Sequence, residues 1–427
     1  MTARSETVAE LAPIATQDRI ELFDVLRGFC LFGVLWSNLN DWYTVAAPVT
    51  SIDHAILWTQ IWLIEARFYS MLGFLFGIGF AIQLMRAAER GQDGRNLFLR
   101  RMTVLLAFGI VHAFLIWHGD VLIAYAIAGF ALLFFRRWSP RHLLIVVPVL
   151  SLLLTYAVVH LAGIFNVHLP RWGDNAEQQL DGHALLVYAH GTWAQSIAVG
   201  AQQYAGWFVR YLLLEGINSF LALFILGLWA VRVDLITRLT RRKVYIIGAL
   251  LSAAVCWAGF RYGQLHLGQW GSAPQVTLGL TWRKLRFWWP PYSVVRTFFL
   301  HGVRWASAAV YALIVALAMS FTSVARRVRP LAAVGRMTLT TYLVQSVVST
   351  VMFYNWGFGL MNRTNFTGIL LFTVVLFALQ IVFSVWWLNR YRFGPAEWLW
   401  RSLAYGRMLP LRIAKVAPSQ TVSAVTA

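Results

Sequence analysis

Repeated runs of about 20 apolar residues constrain the fold of this chain more than any other feature. A helix needs about that length to cross a hydrocarbon layer of roughly 30 Å, since each residue rises about 1.5 Å. The runs predict an all-α, polytopic transmembrane helical bundle of about ten spans. They lie near residues 25–42, 67–86, 102–117, 121–136, 143–164, 207–231, 244–261, 297–320, 337–355 and 367–388.

The composition leaves no room for a separate soluble domain. Of the 427 residues, 59% are hydrophobic and only 12% are charged, which is far from the balance of a soluble protein. The 21 Trp and 15 Tyr fit a bilayer protein, because both residue types gather at membrane interfaces. Cys30 and Cys256 both lie inside apolar runs, so neither a structural disulfide nor a metal site is expected.

The formal net charge of +19 is explained by the turns between spans rather than by nucleic acid. Basic residues fill every second turn, whereas the turns at 43–54, 118–120 and 165–206 hold almost none. This alternation places both termini in the cytoplasm. The basic turns contain Arg86, Arg90, Arg95, Arg100 and Arg101; Arg136, Arg137 and Arg141; Arg232, Arg238, Arg241, Arg242 and Lys243; and Arg326, Arg327, Arg329 and Arg336.

One basic segment falls on the outer side and disagrees with this pattern. It runs from Thr281 to Arg296 with the sequence TWRKLRFWWPPYSVVR. One interpretation is an interfacial helix, with Trp at headgroup level and cationic side chains against lipid phosphates. The other is a lid or a dock for an anionic substrate.

Polar residues near the spans fall into an outer layer and an inner layer, and the outer layer predicts a pocket. Polar groups at membrane depth are costly and often functional. His112 is expected about two helical turns below Asp120, roughly 12 Å away. Alternatively, Asp53, Asn40 and His54 are solvated loop residues, Asp120 caps the fourth span, and His112 bridges helices through one hydrogen bond. The outer layer contains Asn38, Asn40, Asp53, His54, Arg67, His112, His118 and Asp120.

The inner layer begins at the cytoplasmic mouth of the first span with Asp24 and Arg27. These residues are three apart, so on a helix they share a face and can form an ion pair. Alternatively, Arg27 and Arg336 receive the phosphates of a cytosolic cofactor, because guanidinium groups match phosphate geometry. Glu397 completes the layer.

Five ordered motifs between about residues 19 and 405 resemble the bacterial YeiB-like family, domain of unknown function 418. The resemblance implies a single transmembrane domain over 21–405, with a C-terminal family domain from about 230. It also implies the bacterial cytoplasmic (inner) membrane. Residues 1–20 are then a cytoplasmic segment and 406–427 a flexible cytoplasmic tail. The motifs are DVLRGFCLFGVLWSN from Asp24, FLFGIGFAIQ from Phe74, VHAFLIWHGDVLIAYAIAG from Val111, VGRMTLTTYLVQS from Val334, which adds Gln345 as a candidate binding residue, and FGPAEWLWR from Phe393.

That family is in turn distantly similar to membrane acyltransferases of the heparan-alpha-glucosaminide N-acetyltransferase type, chiefly over the first two spans. The similarity implies an Asp-x-x-Arg-Gly opening, which Asp24, Arg27 and Gly28 match, and a distal Asn, which Asn38 matches. Those enzymes take acetyl-CoA from the cytosol and use a His of the following outer loop. His54 lies near that place, and Asp53 matches the YeiB-like pattern.

Two functional hypotheses follow. In the first, the chain transfers an acyl group from cytosolic acyl-CoA to a small-molecule, glycan or lipid acceptor outside the cytoplasm, without a metal. Either His54, or His118 with Asp120, is then the general base, and Asn38 binds the thioester carbonyl. In the second, the chain is a membrane transporter or export component whose buried polar residues line a path. Internal repeats and broken helices in matching halves are not evident, which favours the enzyme.

Overall fold

The computed structural model describes residues 21–39, 50–64, 67–91, 93–150, 175–210, 216–235, 247–254, 290–361 and 363–413. Over these ranges the chain is helical, with a single isolated antiparallel bridge between Tyr391 and Arg412. The all-α prediction is therefore confirmed for the described residues. Within the described ranges, three helices are long and apolar enough to cross a membrane by length and composition: Arg67–Glu89, Arg95–Leu115 and Phe366–Leu388.

We number the helices in chain order. The first five are α1 (Glu21–Asn38), α2 (Ser51–Thr59, extended by a π-helical turn over Gln60–Ile64), α3 (Arg67–Glu89), α4 (Arg95–Leu115) and α5 (Leu122–Leu132, extended by a 3₁₀ turn over Leu133–Arg137). The next five are α6 (Pro140–Pro148), α7 (Asn175–His190), α8 (Trp193–Arg210), α9 (Gly216–Arg232) and α10 (247–254). The last five are α11 (Pro290–Met319), α12 (Thr322–Arg336), α13 (Thr338–Phe353), α14 (Phe366–Leu388) and α15 (Pro395–Tyr405).

Each predicted span overlaps a helix, but five further helices occupy segments that the sequence reading treated as turns or loops. These are α2, α7, α8, α12 and α15. These helices were not predicted because a search for long apolar runs rejects short or strongly charged helices. Helix α12, for example, carries four Arg in 15 residues. The predictions for residues 1–20, 151–164, 255–261, 281–289 and 414–427, and for Asn40 and Cys256, lie outside the described residues.

Helices α13 and α14 bury polar side chains and expose apolar ones, the reverse of helices in a soluble protein. On α14 the buried side chains include Thr373, Gln380 and Ser384, whereas Leu379 and Val382 are more than 60% exposed. On α13 polar side chains occupy much of the buried face, and Val344 and Val347 face outward. An apolar exterior around a polar interior is the arrangement expected against lipid. The buried polar residues of α13 are Thr340, Thr341, Gln345, Ser346, Ser349 and Thr350.

Helix α1 crosses α12 so closely that only glycine fits at the contact. A Cβ on Gly28 would lie 2.0 Å from the Leu331 carbonyl oxygen, and one on Gly335 would lie 1.8 Å from the Asp24 carbonyl oxygen. Small residues permit this backbone approach. The crossing brings the last turn of α12, with Arg336, against the start of α1.

The segment after α15 is held against its neighbours over the part that the structure describes. The Trp398 indole donates to the Leu409 carbonyl at 2.7 Å, and the Leu409 amide donates to the Ser402 hydroxyl at 3.1 Å. Arg412 bridges to Tyr391. Backbone and indole hydrogen bonds thus hold the described part of this segment, and the predicted flexible tail over 406–427 extends beyond the described residues.

Candidate functional site

A buried histidine–carboxylate pair forms where the chain reverses between α4 and α5. The His112 Nδ1 atom lies 2.8 Å from Asp120 Oδ2, and both side chains are 0% exposed. The other Asp120 oxygen accepts a hydrogen bond of 2.8 Å from the Ile123 amide in the first turn of α5. Asp120 thus caps α5 and orients His112 at the same time. The Tyr342 ring on α13 covers the imidazole at a centroid distance of 4.9 Å.

The predicted separation of roughly 12 Å between His112 and Asp120 is wrong. That value required helical rise over all eight steps from His112 to Asp120, whereas α4 ends at Leu115 and the chain folds back. Gly109 allows this close return, since a Cβ there would lie 2.7 Å from the Ile123 nitrogen and 3.1 Å from Asp120 Oδ1. Over the ranges that the structure describes, His112 Nε2 is buried and has no hydrogen-bond partner.

His118 lies in the same turn but does not pair with Asp120, so the predicted His118–Asp120 base is wrong. Its Nδ1 atom lies 3.3 Å from the Tyr188 hydroxyl, which donates to Gln203 at 2.6 Å. The His118 and Tyr188 rings are stacked. Burial lowers the pKa of His118 to about 4, so the imidazole is neutral at pH 7.

A small aromatic cleft opens beside His118. Its volume is about 10 Å³, the space of roughly one water molecule. In this conformation the cleft admits nothing larger than water. The lining includes Trp117, Tyr188, Trp193, Ser196, Tyr354 and Trp356.

Asp53 and His54 lie in the first turn of α2, not in a solvated loop, so the loop prediction is wrong for both. Asp53 is buried and forms a capping box with Thr50: its Oδ2 accepts from the Thr50 amide at 3.1 Å, and its amide donates to the Thr50 hydroxyl at 3.0 Å. His54 is exposed. Asp53 thus caps α2.

Asn38 and Arg67 are both buried near the junction of α1 and α3. The Tyr69 hydroxyl donates to Asn38 Oδ1. That contact occupies the acceptor atom of the Asn38 amide. Arg67 is the first residue of α3.

Asp24, Arg27 and Arg336 form a second polar cluster at the opposite end of α1. Arg27 donates to Asp24 Oδ1 at 3.0 Å, as the spacing of three predicted. Burial lowers the pKa of Arg336, and the nearby Asp24 carboxylate opposes this shift. Two guanidinium groups thus share one carboxylate. Unlike the His112 turn, this cluster is open: the Arg27 side chain is 28% exposed.

Two further polar contacts fix α13. Gln345 donates from Nε2 to the Leu31 carbonyl at 3.2 Å and to Gln380 Oε1 at 3.0 Å. Glu397 accepts from the Leu339 and Thr340 amides at 2.6 and 3.1 Å and from the Thr340 hydroxyl at 2.6 Å. A carboxylate there satisfies helix N-terminal donors. Burial nonetheless raises the pKa of Glu397, and these hydrogen bonds lower it.

Sequence reasoning placed Glu397 in the inner layer but missed its capping role. Tyr342 was not predicted either. It lies on α13 just after the turn that Glu397 caps, and its ring packs against His112. The i, i+8 spacing of His112 and Asp120 around Gly119 could have suggested a turn. Among the described residues no group of three or more His, Cys, Asp or Glu side chains is placed to hold a metal ion.

Helices of membrane length, an outward apolar face and buried polar clusters define the class: an all-helical protein with the features of a membrane protein. Residues 268–407 match the family described as "Protein of unknown function (DUF418)". The chain is 29% identical to "Uncharacterized protein YxaH" of Bacillus subtilis (strain 168), covering 95% of this chain and 98% of that protein. It is 26% identical to "Uncharacterized protein YeiB" of Escherichia coli (strain K12), covering 95% and 99%. These matches support a place for the chain in the YeiB-like DUF418 family.

Proposed function

We propose that the chain is a polytopic protein of the bacterial cytoplasmic membrane, with about ten spans and both termini in the cytoplasm. The outward apolar faces of α13 and α14 support a lipid environment. Arginine at the α12 end of the bundle supports a cytoplasmic location for that end. The turn that contains His112 and Asp120 then faces the other side of the membrane.

Within that arrangement the chain acts as a transmembrane acyltransferase that uses cytosolic acyl-CoA and an extracytoplasmic acceptor. The observation that carries this proposal is the contact of 2.8 Å between His112 Nδ1 and Asp120 Oδ2, both fully buried. An ionised Asp120 stabilises the tautomer with a proton on Nδ1, so Nε2 keeps the lone pair. His112 Nε2 is then the general base, in place of His54 or His118.

The reaction needs one proton acceptor and no redox change. His112 Nε2 removes the proton from an acceptor hydroxyl or amine as that atom attacks the thioester carbonyl. A C–O or C–N bond forms, the C–S bond breaks, and the coenzyme A thiolate leaves; the proton held by His112 is finally released to the thiolate or to water. The Asn38 Nδ2 donors are suited to the oxyanion, because Oδ1 already accepts from Tyr69.

The donor fits the α12 end of the bundle by charge. Arg27 pairs with Asp24, and Arg336 is close enough to feel the same carboxylate; guanidinium groups bind phosphates through paired hydrogen bonds. From Asp24 to Asn38, α1 rises about 21 Å. Leu31, Val34 and Leu35 are buried between these two positions, so the acyl arm can pass only when α1 separates from its neighbours.

The test compares two histidines in an acyl-transfer assay on purified full-length protein, with labelled acetyl-CoA and a total extract of bacterial envelope lipids and glycans as acceptor source. His112→Gln should lower label transfer by about 10²- to 10⁴-fold, the usual contribution of a general base. His54→Gln, at an exposed position, should transfer at the wild-type rate. Loss of activity in the His54 variant with full activity in the His112 variant would overturn the assignment.

Transport is the second candidate, and the polar interior of α13 and α14 favours it. Gln345, Gln380 and Thr373 form part of a buried polar stripe of the kind that lines substrate paths in membranes. In proteoliposomes, uptake of a compound from an envelope extract without any covalent change would support transport. Covalent labelling of the acceptor would support the enzyme.

A further inference from the structure

Helix α12 carries a charged face that the acyl-transfer proposal does not use. Its 15 residues contain four Arg and no acidic residue. Arg336 belongs to the Asp24 cluster, whereas Arg326, Arg327 and Arg329 are exposed. The opposite face, with Ala332, Val334 and Gly335, is buried. A helix with one apolar face and one arginine face is typical of the membrane–water interface.

The position of α12 along the bundle can be derived from its neighbours. Gln380 on α14 donates to the Thr341 carbonyl on α13 at 3.1 Å. From that contact α14 continues for eight residues to Leu388, about 12 Å, and α13 leads back to the end of α12 in five residues, about 7 Å. Helix α12 and the end of α14 therefore lie at the same end of the bundle, and the two helices pack together.

The end of α14 has the residue types of a membrane interface. Trp386 is 46% exposed, and the Arg390 guanidinium lies over its ring at 4.7 Å from the centroid. In the turns of α14 that precede Trp386, the outward face is apolar, with Leu379 and Val382 exposed. Trp and Arg at the boundary of an apolar band mark the headgroup level. The arginine face of α12 thus lies at the depth of lipid phosphates.

One acidic side chain meets this face in the described residues. The Arg329 Nε atom lies 3.0 Å from Glu21 Oε1, with both side chains largely exposed. An exposed ion pair contributes little and is readily exchanged for another anion. Pro330 also lacks the amide that would bond the Arg326 carbonyl, so this stretch of backbone is better suited to the hydrated interface than to hydrocarbon.

We propose that α12 is a binding surface for anionic phospholipid headgroups, whose phosphates are bound by Arg326, Arg327 and Arg329. Juxtamembrane basic residues attract anionic lipid by about 1 kcal/mol each, which corresponds to roughly fivefold per residue. The surface is separate from Arg27 and Arg336, so its failure and the failure of acyl-CoA binding can be told apart.

The experiment measures energy transfer from protein Trp to dansyl-labelled phosphatidylglycerol, titrated into the purified full-length protein in uncharged detergent. The triple variant R326Q/R327Q/R329Q is compared with R90Q/R95Q/R100Q, which removes three exposed Arg around the α3–α4 turn. We expect the α12 variant to bind at least tenfold more weakly and the control to change less than threefold. Thermal unfolding in the same detergent shows whether both variants are folded like the wild type.

Equal losses in the two variants would overturn the proposal, because net charge alone would then explain binding. An unchanged affinity in the α12 variant would overturn it as well. Labelled phosphatidylcholine should bind the wild type and the α12 variant equally weakly. If inorganic phosphate at millimolar concentration displaces phosphatidylglycerol completely, the surface is a phosphate site and not a lipid site.

Discussion

The two ends of the bundle hold polar clusters of opposite design. At the turn after α4, His112 and Asp120 are completely buried, pair at 2.8 Å and are covered by Tyr342. At the start of α1, Asp24 is shared by Arg27 and Arg336, and Arg27 remains 28% exposed. The first cluster is closed; the second is open and has an excess of positive charge.

This difference separates two chemical tasks. A buried imidazole held by a carboxylate is suited to moving a proton, because its tautomer and orientation are fixed before a substrate arrives. An open cluster with an excess guanidinium is suited to binding a polyanion that comes and goes. The following predictions test whether the two ends differ in stability and access as well as in charge.

The largest expected effect is on the buried pair. Asp120→Ala leaves His112 and the Ile123 amide buried without their acceptor, so we expect a loss of about 3–5 kcal/mol in the free energy of unfolding. Asp24→Ala, at the open end, should cost about 1–2 kcal/mol. Chemical unfolding in mixed micelles measures both. Similar losses in the free energy of unfolding for the two variants would contradict the difference between the closed and the open cluster.

Packing at the α1–α12 crossing should give the next largest effect. Gly335→Ala places a Cβ 1.8 Å from the Asp24 carbonyl oxygen, which forces the backbones apart at a cost of about 1–3 kcal/mol. Gly182→Ala on α7 is the matched control, since no atom lies within 4 Å of the added Cβ. The Gly335 variant should also bind acetyl-CoA more weakly. Equal stability of the two variants would contradict the close crossing.

A pH-dependent effect is expected at the closed end. The folded-state pKa of His118 is lowered from 6.5 to about 4, so between these values the unfolded state binds a proton that the folded state does not. Stability is therefore lost as the pH falls from 6.5 to about 4. His118→Gln should lose less stability than the wild type over that window. Parallel pH profiles for the two proteins would show that His118 is not desolvated.

The smallest expected effect concerns the separation of α1 from its neighbouring helices between the two clusters. Cys30 lies on α1 between them and is completely buried. In a Cys256→Ser background, maleimide labelling of Cys30 should be slow and should accelerate a few-fold when acetyl-CoA is added, because α1 must separate from its neighbours. Coenzyme A without the acyl group serves as the control. Labelling at the same rate in all three conditions would argue against passage of the donor arm along α1.

Apolar runs predicted much of this fold, because membrane-length helices are encoded by local composition alone. Helices α2 and α12 were not predicted, since α2 has only nine residues and α12 carries four Arg in 15 residues. The Asp24–Arg27 pair was predicted because residues three apart on one helix must share a face. By contrast, the His112–Asp120 contact depends on a chain reversal and on Gly109, which helical spacing cannot show.

The alignment of Tyr342 with His112 was also beyond the sequence. It depends on Glu397, which reaches the start of α13 from a helix 57 positions later in the chain. Pairings across that distance are set by packing and not by any local pattern. Most polar residues of both clusters were therefore predicted, but in one cluster Asp120 was assigned to His118 and its partner is His112.

Equilibrium binding of labelled acetyl-CoA to the purified protein tests the central claim most directly. The wild type and His112→Gln should bind it saturably, because the base is not part of the donor site, and Arg27→Ala should abolish binding. His112→Gln should still fail to transfer the acyl group. A wild-type protein that binds no acyl-CoA, or one whose binding survives Arg27→Ala unchanged, would contradict the account.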